Sequence, residues 1–316
     1  MIEAIQLGKQ FGDFVAVRDL TLTVQPGELV ALLGPNGAGK TTTVRMLAAI
    51  LPPSSGQARI CGYDVVRDAQ RVRGMVGLLT EYPGLYGRMA ALEYLAFFGA
   101  LLGLDAVQCR QRSEALLRQF GLWEVRDRNL ESFSKGMRQK MALIRAMIHD
   151  PPVLFLDEPT TAMDPQSART VRDAIGELRG AKRSILLTTH NLSEAEELAD
   201  RIAIIRGGQI VAVGPFAELS RQLLGDPAFE LIVARPADQA RALAVVRELV
   251  AAEVVGHDRI VWQTAEPHLL NPAIVNRLIT AGIAVYSLSE QPRRLEDLYL
   301  RIVAEDEAVP ALSARG

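Results

Sequence analysis

The sequence predicts an α/β protein: a mainly parallel sheet covered on both faces, interrupted by a helical insertion and followed by a small C-terminal α+β domain. Three observations carry this. Short apolar runs, ELVALLG (Glu28 to Gly34), VLFLD ending at Asp157 and SILLTT ending at Thr189, are separated by segments of helical pattern. Strands apolar on both sides belong to a buried parallel sheet with helices on its faces. From Tyr82 to Phe133 apolar residues recur at helical spacing and strand signals vanish, and beyond about Leu219 strand and helix patterns alternate again.

Taken in order, the elements begin with a β-rich segment. Ile2, Ala4 and Gln6 alternate with their neighbours, and FVAVRDLTLTV (Phe14 to Val24) reads as a second strand ended by PGE. ELVALLG leads through a glycine-rich loop into the helical TTTVRMLAAIL, and MVGLL near Val76 adds another strand. LEYLAFFGALLGL and SEALLRQFGL give the helical insertion, about 82–135. After the unit 1–219, a second domain at 225–304 runs strand FELIVA, helix DQARALAVVRELVAA, strand DRIVWQT, helix PAIVNRLITAG, strand IAVYSLS and helix RRLEDLYLRIV. With a strand allowed before DRIVWQT the order is close to βα(β)βαβ with a terminal helix, which suits a small ferredoxin-like unit. The polar ending 305–316 is expected to be a flexible tail.

Composition excludes several classes. The chain has 316 residues, 49% hydrophobic and 23% charged, enough for a sizeable core and too long for one small domain. A net charge of −2 offers no field for nucleic acid, so none is expected as a partner. Two distant cysteines, Cys61 and Cys109, fit reduced thiols in a cytoplasmic protein and neither a disulfide framework nor a zinc site. The most apolar stretch, Tyr94 to Leu104, falls short of the roughly 20 residues that span a bilayer. Any span must come from another chain. His149, His257 and His268 have no ligand spacing and read as surface or turn residues.

Gly34-Pro-Asn36-Gly37-Ala-Gly39-Lys40-Thr41-Thr42 carries the chemistry. It fits GxxxxGK[ST] between an apolar strand and a helix, where backbone N–H groups curl around phosphate oxygens and the helix dipole favours anions. Lys40 would reach the β- and γ-phosphates and Thr41 would ligate Mg²⁺. A buried strand ending in Asp157-Glu158 can hold Mg²⁺ with one carboxylate and polarise an attacking water with its neighbour.

GPNGAGKTT, FSKGMRQK, VLFLDEPTTAMD and LLTTH, in this order, resemble the ATP-binding subunits of ABC transporters over roughly Ile2 to Leu219. The resemblance implies a P-loop NTPase ABC cassette with an antiparallel β subdomain. It implies ATP and Mg²⁺ as cofactors. Glu158 matches the family's catalytic base, Asp157 its magnesium carboxylate, and His190 the switch histidine at the γ-phosphate. Ser134 and Gly136 match the signature residues that contact ATP on the other subunit, and Asp164 the aspartate linking the two sites. Phe11 falls where an aromatic ring stacks on adenine; the alternative is a buried strand-end Phe. A GTPase would want an Asn-Lys-x-Asp reader, which is absent.

Two departures matter. The signature reads Phe133-Ser-Lys-Gly-Met137 rather than Leu-Ser-Gly-Gly-Gln, which resembles exporter-type subunits for drugs, polysaccharides or sodium. Glu81 stands where the family has a magnesium-sensing glutamine, a possible metal ligand that adds negative charge. The implied partners are a separate transmembrane permease and a second ATP-binding subunit, taken as a second copy. They would hold the chain peripherally on the inner face of the cell membrane. Lys135, Arg138 and Lys140 would lie near the opposing triphosphate or form an exposed basic face. The C-terminal domain would stabilise the dimer or serve as a packing module. The rival reading is a soluble ABC-type ATPase acting on a ribosome or DNA.

Overall fold

A computed structural model describes residues 1–161, 163–178 and 183–307. Chain contacts divide it into two units, Met1–Phe216 and a second beginning at Ala217.

The first unit opens with strands β1 (Ile2–Phe11), β2 (Phe14–Val24) and β3 (Leu29–Leu33), then helix α1 (Lys40–Leu47). Strands β4 (Ser55–Ile60) and β5 (Tyr63–Asp64), helix α2 (Ala69–Met75) and strand β6 (Val76–Leu79) follow. Helices α3 (Ala91–Leu101) and α4 (Ala106–Gln119) form the insertion, and α5 (Lys135–Met147) returns the chain to the sheet. The unit closes with β7 (Val153–Asp157), α6 (Pro165–Gly176), β8 (Ser184–Thr189), α7 (Leu192–Leu198), β9 (Arg201–Arg206) and β10 (Gln209–Gly214).

Two sheets result. One is antiparallel, ordered β2-β1-β4-β5; the other is six-stranded, ordered β10-β9-β3-β8-β7-β6. The pairs β9–β3, β3–β8, β8–β7 and β7–β6 are parallel, and only β10 runs against its neighbour. Its central strands are buried along their whole length, which is why they read as unbroken apolar runs. Alternate side chains nevertheless serve different cores. Val30, Leu32, Val153, Phe155 and Leu186 pack with α1 and the antiparallel sheet. Leu29, Leu154, Leu156, Ile185 and Leu187 pack with the insertion, α5 and α6. The sheet is thereby clamped from both faces.

The sequence reading missed β4, β5, β9 and β10. RIAIIR carries a short apolar run, but SGQARI and QIVAVG present polar or exposed residues at most positions, since both sit in antiparallel pairs with one wet face.

Helix α8 (Phe216–Leu224) begins at the boundary, and the second unit continues with β11 (Ala228–Val233), α9 (Gln239–Arg247), β12 (Ala252–Val255), β13 (Arg259–Gln263), α10 (Pro267–Thr280), β14 (Val285–Glu290) and α11 (Leu295–Glu307). The sheet order β12-β13-β11-β14 is antiparallel throughout, the split βαβ arrangement. Phe229, Leu231, Ile260, Trp262, Ile274 and Leu278 build its core. Helix α10 starts five residues before the expected PAIVN, because Pro267 takes the first helical position and Pro272 is absorbed inside the helix. The expected tail also needs correction: α11 extends to Glu307, and 308–316 lie outside the described residues.

Candidate nucleotide site

Four functional segments leave the carboxyl ends of adjacent parallel strands. The glycine loop follows β3, Thr189-His190 ends β8, Asp157-Glu158 ends β7, and Glu81 lies just beyond β6. This is where open α/β sheets bind ligands, because helix N-termini and loops converge there.

Gly39 gives the loop its curl. Its φ is +103°, and a Cβ there would stand 2.6 Å from the Ala16 carbonyl oxygen. Only glycine fits that backbone and approach. The loop, with Phe14, Ala16, Glu81 and Glu158, lines a cavity of about 370 Å³ that includes Asn36, Gly37, Lys40, Thr41 and Thr42. Lys40 is buried; its Nζ donates to the Gly34 and Pro35 carbonyls at 2.7 and 3.2 Å and faces Glu158 Oε1 at 3.2 Å. A buried ammonium left alone would cost several kcal/mol, so these oxygens hold it at the mouth of the loop.

Glu158 occupies the left-handed backbone region at φ 52°, a strain of about 1–3 kcal/mol of the kind that clusters at functional sites. The turn aims the carboxylate back across the strand end. Its Oε2 accepts from Thr161 Oγ1 at 2.9 Å and lies 2.8 Å from His190 Nδ1. Asp157 accepts from Thr188 Oγ1 at 2.5 Å and from Thr41 Oγ1 at 3.2 Å. Burial pushes the Asp157 carboxyl above its ordinary value; these two hydroxyls oppose that, while the charges of Glu158 and Glu81 add to it. The site is short of positive charge. A hydroxyl beside a buried carboxylate, with Glu81 across the cavity, is an all-oxygen donor set that fits a hard divalent cation completing its shell with phosphate oxygens and water.

Ser134, Gly136 and Asp164 do not line this cavity. Ser134 is the exposed N-cap of α5, its Oγ accepting from Met137 N at 3.2 Å. Asp164 is the exposed N-cap of α6, accepting from Ser167 N at 3.0 Å; the Ser167 hydroxyl, and then this backbone bond, hold its carboxyl below the usual range. The two helix starts adjoin: a Cβ on Gly136 would meet Ser167 Oγ at 3.2 Å. Together they make one outward face with two N-terminal dipoles.

Several expectations change. Phe11 is half-exposed with Lys9 Nζ over its ring at 5.1 Å, whereas its cross-strand partner Phe14, which sequence reasoning missed, lines the cavity. Lys140 lies roughly 140° around α5 from Lys135 and donates to the Phe120 carbonyl at 3.2 Å, so the three basic residues do not form one face. His149, expected as a surface or turn residue, is a turn residue, but a partly buried one. Its ring nitrogens are shut from solvent, and burial holds its pKa below the ordinary imidazole value. It closes the α5–β7 turn, against the backbone of Val76.

Comparison with known proteins places these features among relatives. Residues 17–161 match the ABC transporter family. The chain is 35% identical over 302 residues, 95% of each chain, to the daunorubicin resistance ATP-binding protein DrrA3 of Streptomyces coeruleorubidus. It is 34% identical to the Nod factor export ATP-binding protein I of Paraburkholderia xenovorans (strain LB400), over 96% of this chain and 97% of the other. Among solved structures, an ATP-binding subunit of an ABC transporter superposes with TM-score 0.65 at 31% identity, covering 71% of this chain and 94% of that one.

Proposed function

The chain belongs to the ATP-binding proteins of ABC transporters, and from that footing we propose that it works as half of a head-to-tail dimer, driving a separate membrane-spanning subunit to export its cargo. Binding and hydrolysis of ATP come with the family. The finer roles rest on one observation: the phosphate loop and carboxylates converge in one cavity, while Ser134 and Asp164 form a face outside it. A face of helix N-termini built for phosphate needs a second chain's nucleotide to complete it.

In this reading Lys40 and the loop N–H groups hold the β- and γ-phosphates, and the hairpin aromatics Phe11 and Phe14 hold the base. Glu158 Oε2 takes the proton of the attacking water, and His190, 2.8 Å away, steadies that carboxylate and the γ-phosphate. Thr41, Asp157 and Glu81 would hold Mg²⁺, which supplies charge neutralisation between the phosphates.

The membrane partner is assigned to the surface beside Glu81. Tyr82, Tyr86, Phe97 and Leu101 are exposed, and the Tyr86 ring lies 6.0 Å from those of Tyr94, Phe97 and Phe98. Arg145 of α5 ties this surface to the signature helix, its Nη1 donating to the Pro83 carbonyl at 2.9 Å and to Tyr94 OH at 2.8 Å. Displacement at Tyr86 would therefore reach Ser134 through α5. No helix among the described residues is long and apolar enough to cross a membrane, so the chain would sit peripherally on the inner face through its partner. The resistance and export roles named for the relatives support export and disfavour a ribosome- or DNA-directed ATPase. Fractionation tests the reading. The chain should sediment with membranes in its own cells and shift to the supernatant on Tyr86→Asp; equal sedimentation of both would remove this surface from the account.

A further inference from the structure

The nucleotide chemistry above leaves one deeply buried acid unused. Glu194, in the first turn of α7, has no solvent exposure. Its Oε1 accepts from Thr160 Oγ1 at 2.9 Å, and its Oε2 is shut from solvent. Burial pushes the carboxyl above its ordinary value; the Thr189 and Thr160 hydroxyls oppose the rise and the nearby Glu158 charge adds to it. An apolar side chain would fill this place without the penalty of desolvating a carboxyl. A costly group retained beside a catalytic turn calls for a role.

The connections define one. His190 stands between Thr189 and Asn191, and Asn191 folds back on both sides: its N–H donates to Thr189 Oγ1 at 2.9 Å, and its Oδ1 accepts from Glu194 N at 3.3 Å. The start of α7 is thus fastened to the His190 turn. From there Glu194 reaches Thr160, two residues after Glu158. The next residue, Thr161, donates to the same Glu158 oxygen that faces His190 Nδ1. The chain of contacts closes on itself, from Glu158 through Thr161, Thr160, Glu194 and Asn191 to His190 and back. It leaves the turn from Glu158 to Thr161 held from two sides.

We propose that Glu194 is a positioning residue: through Thr160 it locks the turn from Glu158 to Thr161 to the helix following His190, so that base and histidine keep one geometry. The inference rests on Glu158 and His190 acting as assigned above. It adds that their alignment depends on a contact neither of them makes.

Thr160→Val tests it, because it removes the hydroxyl and keeps the shape. In the purified full chain, kcat for ATP hydrolysis should fall at least about tenfold while equilibrium ATP affinity stays within about twofold. Thr160→Ser, which restores the donor, should return kcat to within about threefold of the parent. Glu194→Ala combined with Thr160→Val should be no slower than the worse single variant, since the contact is lost once. Should Glu194→Ala fail to fold, the Thr160 pair alone decides. A Thr160→Val chain with parental kcat overturns the proposal, as does a loss that Thr160→Ser does not repair, or a loss of ATP affinity matching that in kcat. Failure of the underlying reading shows elsewhere, as full hydrolysis by Glu158→Gln.

Discussion

The glycine-loop region and the Ser134–Asp164 face of this chain are built oppositely. The glycine loop and its carboxylates sit at the ends of strands buried on both faces, and Lys40, Asp157 and Glu158 are themselves buried. The Ser134–Asp164 face stands on two exposed helix N-caps that adjoin through Gly136 and Ser167. In the first region Lys40, Asp157 and Glu158 are partnered within one chain: Lys40 faces Glu158, Asp157 accepts from Thr188 and Thr41, and Glu158 accepts from Thr161. The second has donors and dipoles aimed outward. In the proposed dimer, phosphate binding would be preorganised on one side and completed by assembly on the other.

The sharpest way to break this contrast is at the buried base. Glu158→Gln should slow hydrolysis by roughly 10²–10⁴-fold while ATP binding persists, measured by steady-state turnover and equilibrium binding. Lys40→Ala should lower ATP affinity about a hundredfold, because charge-assisted bonds to two phosphates are lost. Neither change draws on the exposed face, and either alone would silence a site whose second half is intact.

The exposed face is probed by mixing chains. Lys40→Ala and Ser134→Arg should each abolish activity alone, yet mixed dimers place both lesions at one interface and leave the other whole. Recovery of a measurable fraction of turnover, with ATP-dependent dimers on a sizing column, sharpens the comparison. No recovery of either would return Ser134 to its own chain's nucleotide and end the distinction.

Smaller effects discriminate within the buried half. Phe14→Ala should raise the KM for ATP about three- to tenfold, more than Phe11→Ala, because only Phe14 borders the cavity. A larger effect at Phe11 would restore the expectation drawn from sequence. Asp157→Asn should raise the unfolding midpoint of the nucleotide-free chain by about 2–4 °C. The sign follows from its raised pKa: the folded state disfavours the charged carboxylate, so the penalty is greatest above the folded pKa and fades as pH falls below it. The gain in midpoint should therefore shrink in acid.

How much of this was legible in the sequence follows from where each signal is written. The strands β2, β3, β7 and β8 were readable because burial on one or both faces imposes a pattern on consecutive residues. Lys40, Thr41, Asp157 and Glu158 lie in short motifs whose neighbours dictate their setting. Phe14 was not readable, since its place on the cavity wall depends on the register of a hairpin that pairs it with Phe11. Nor was the Thr160–Glu194 contact, whose partners are 34 residues apart and belong to no common repeat. Lys140 looked like part of a charge run because position along a chain says nothing of direction around a helix.

The sheet order also has a consequence for biosynthesis. β3, which launches the phosphate loop, pairs on its two sides with β8 and β9, Leu32 opposite Thr188 and Ala203. These partners leave the ribosome about 155 and 170 residues after it, a wait of roughly ten to thirty seconds at ordinary elongation rates. Glu81 is made about 50 residues after β3, and Asp157 and Glu158 about 125, so the acidic side of the site is synthesised before β3 has either neighbour. The centre of this sheet is therefore among its last contacts to close, because the strand that launches the phosphate loop and the strand that ends at Thr189 are joined by a long intervening chain.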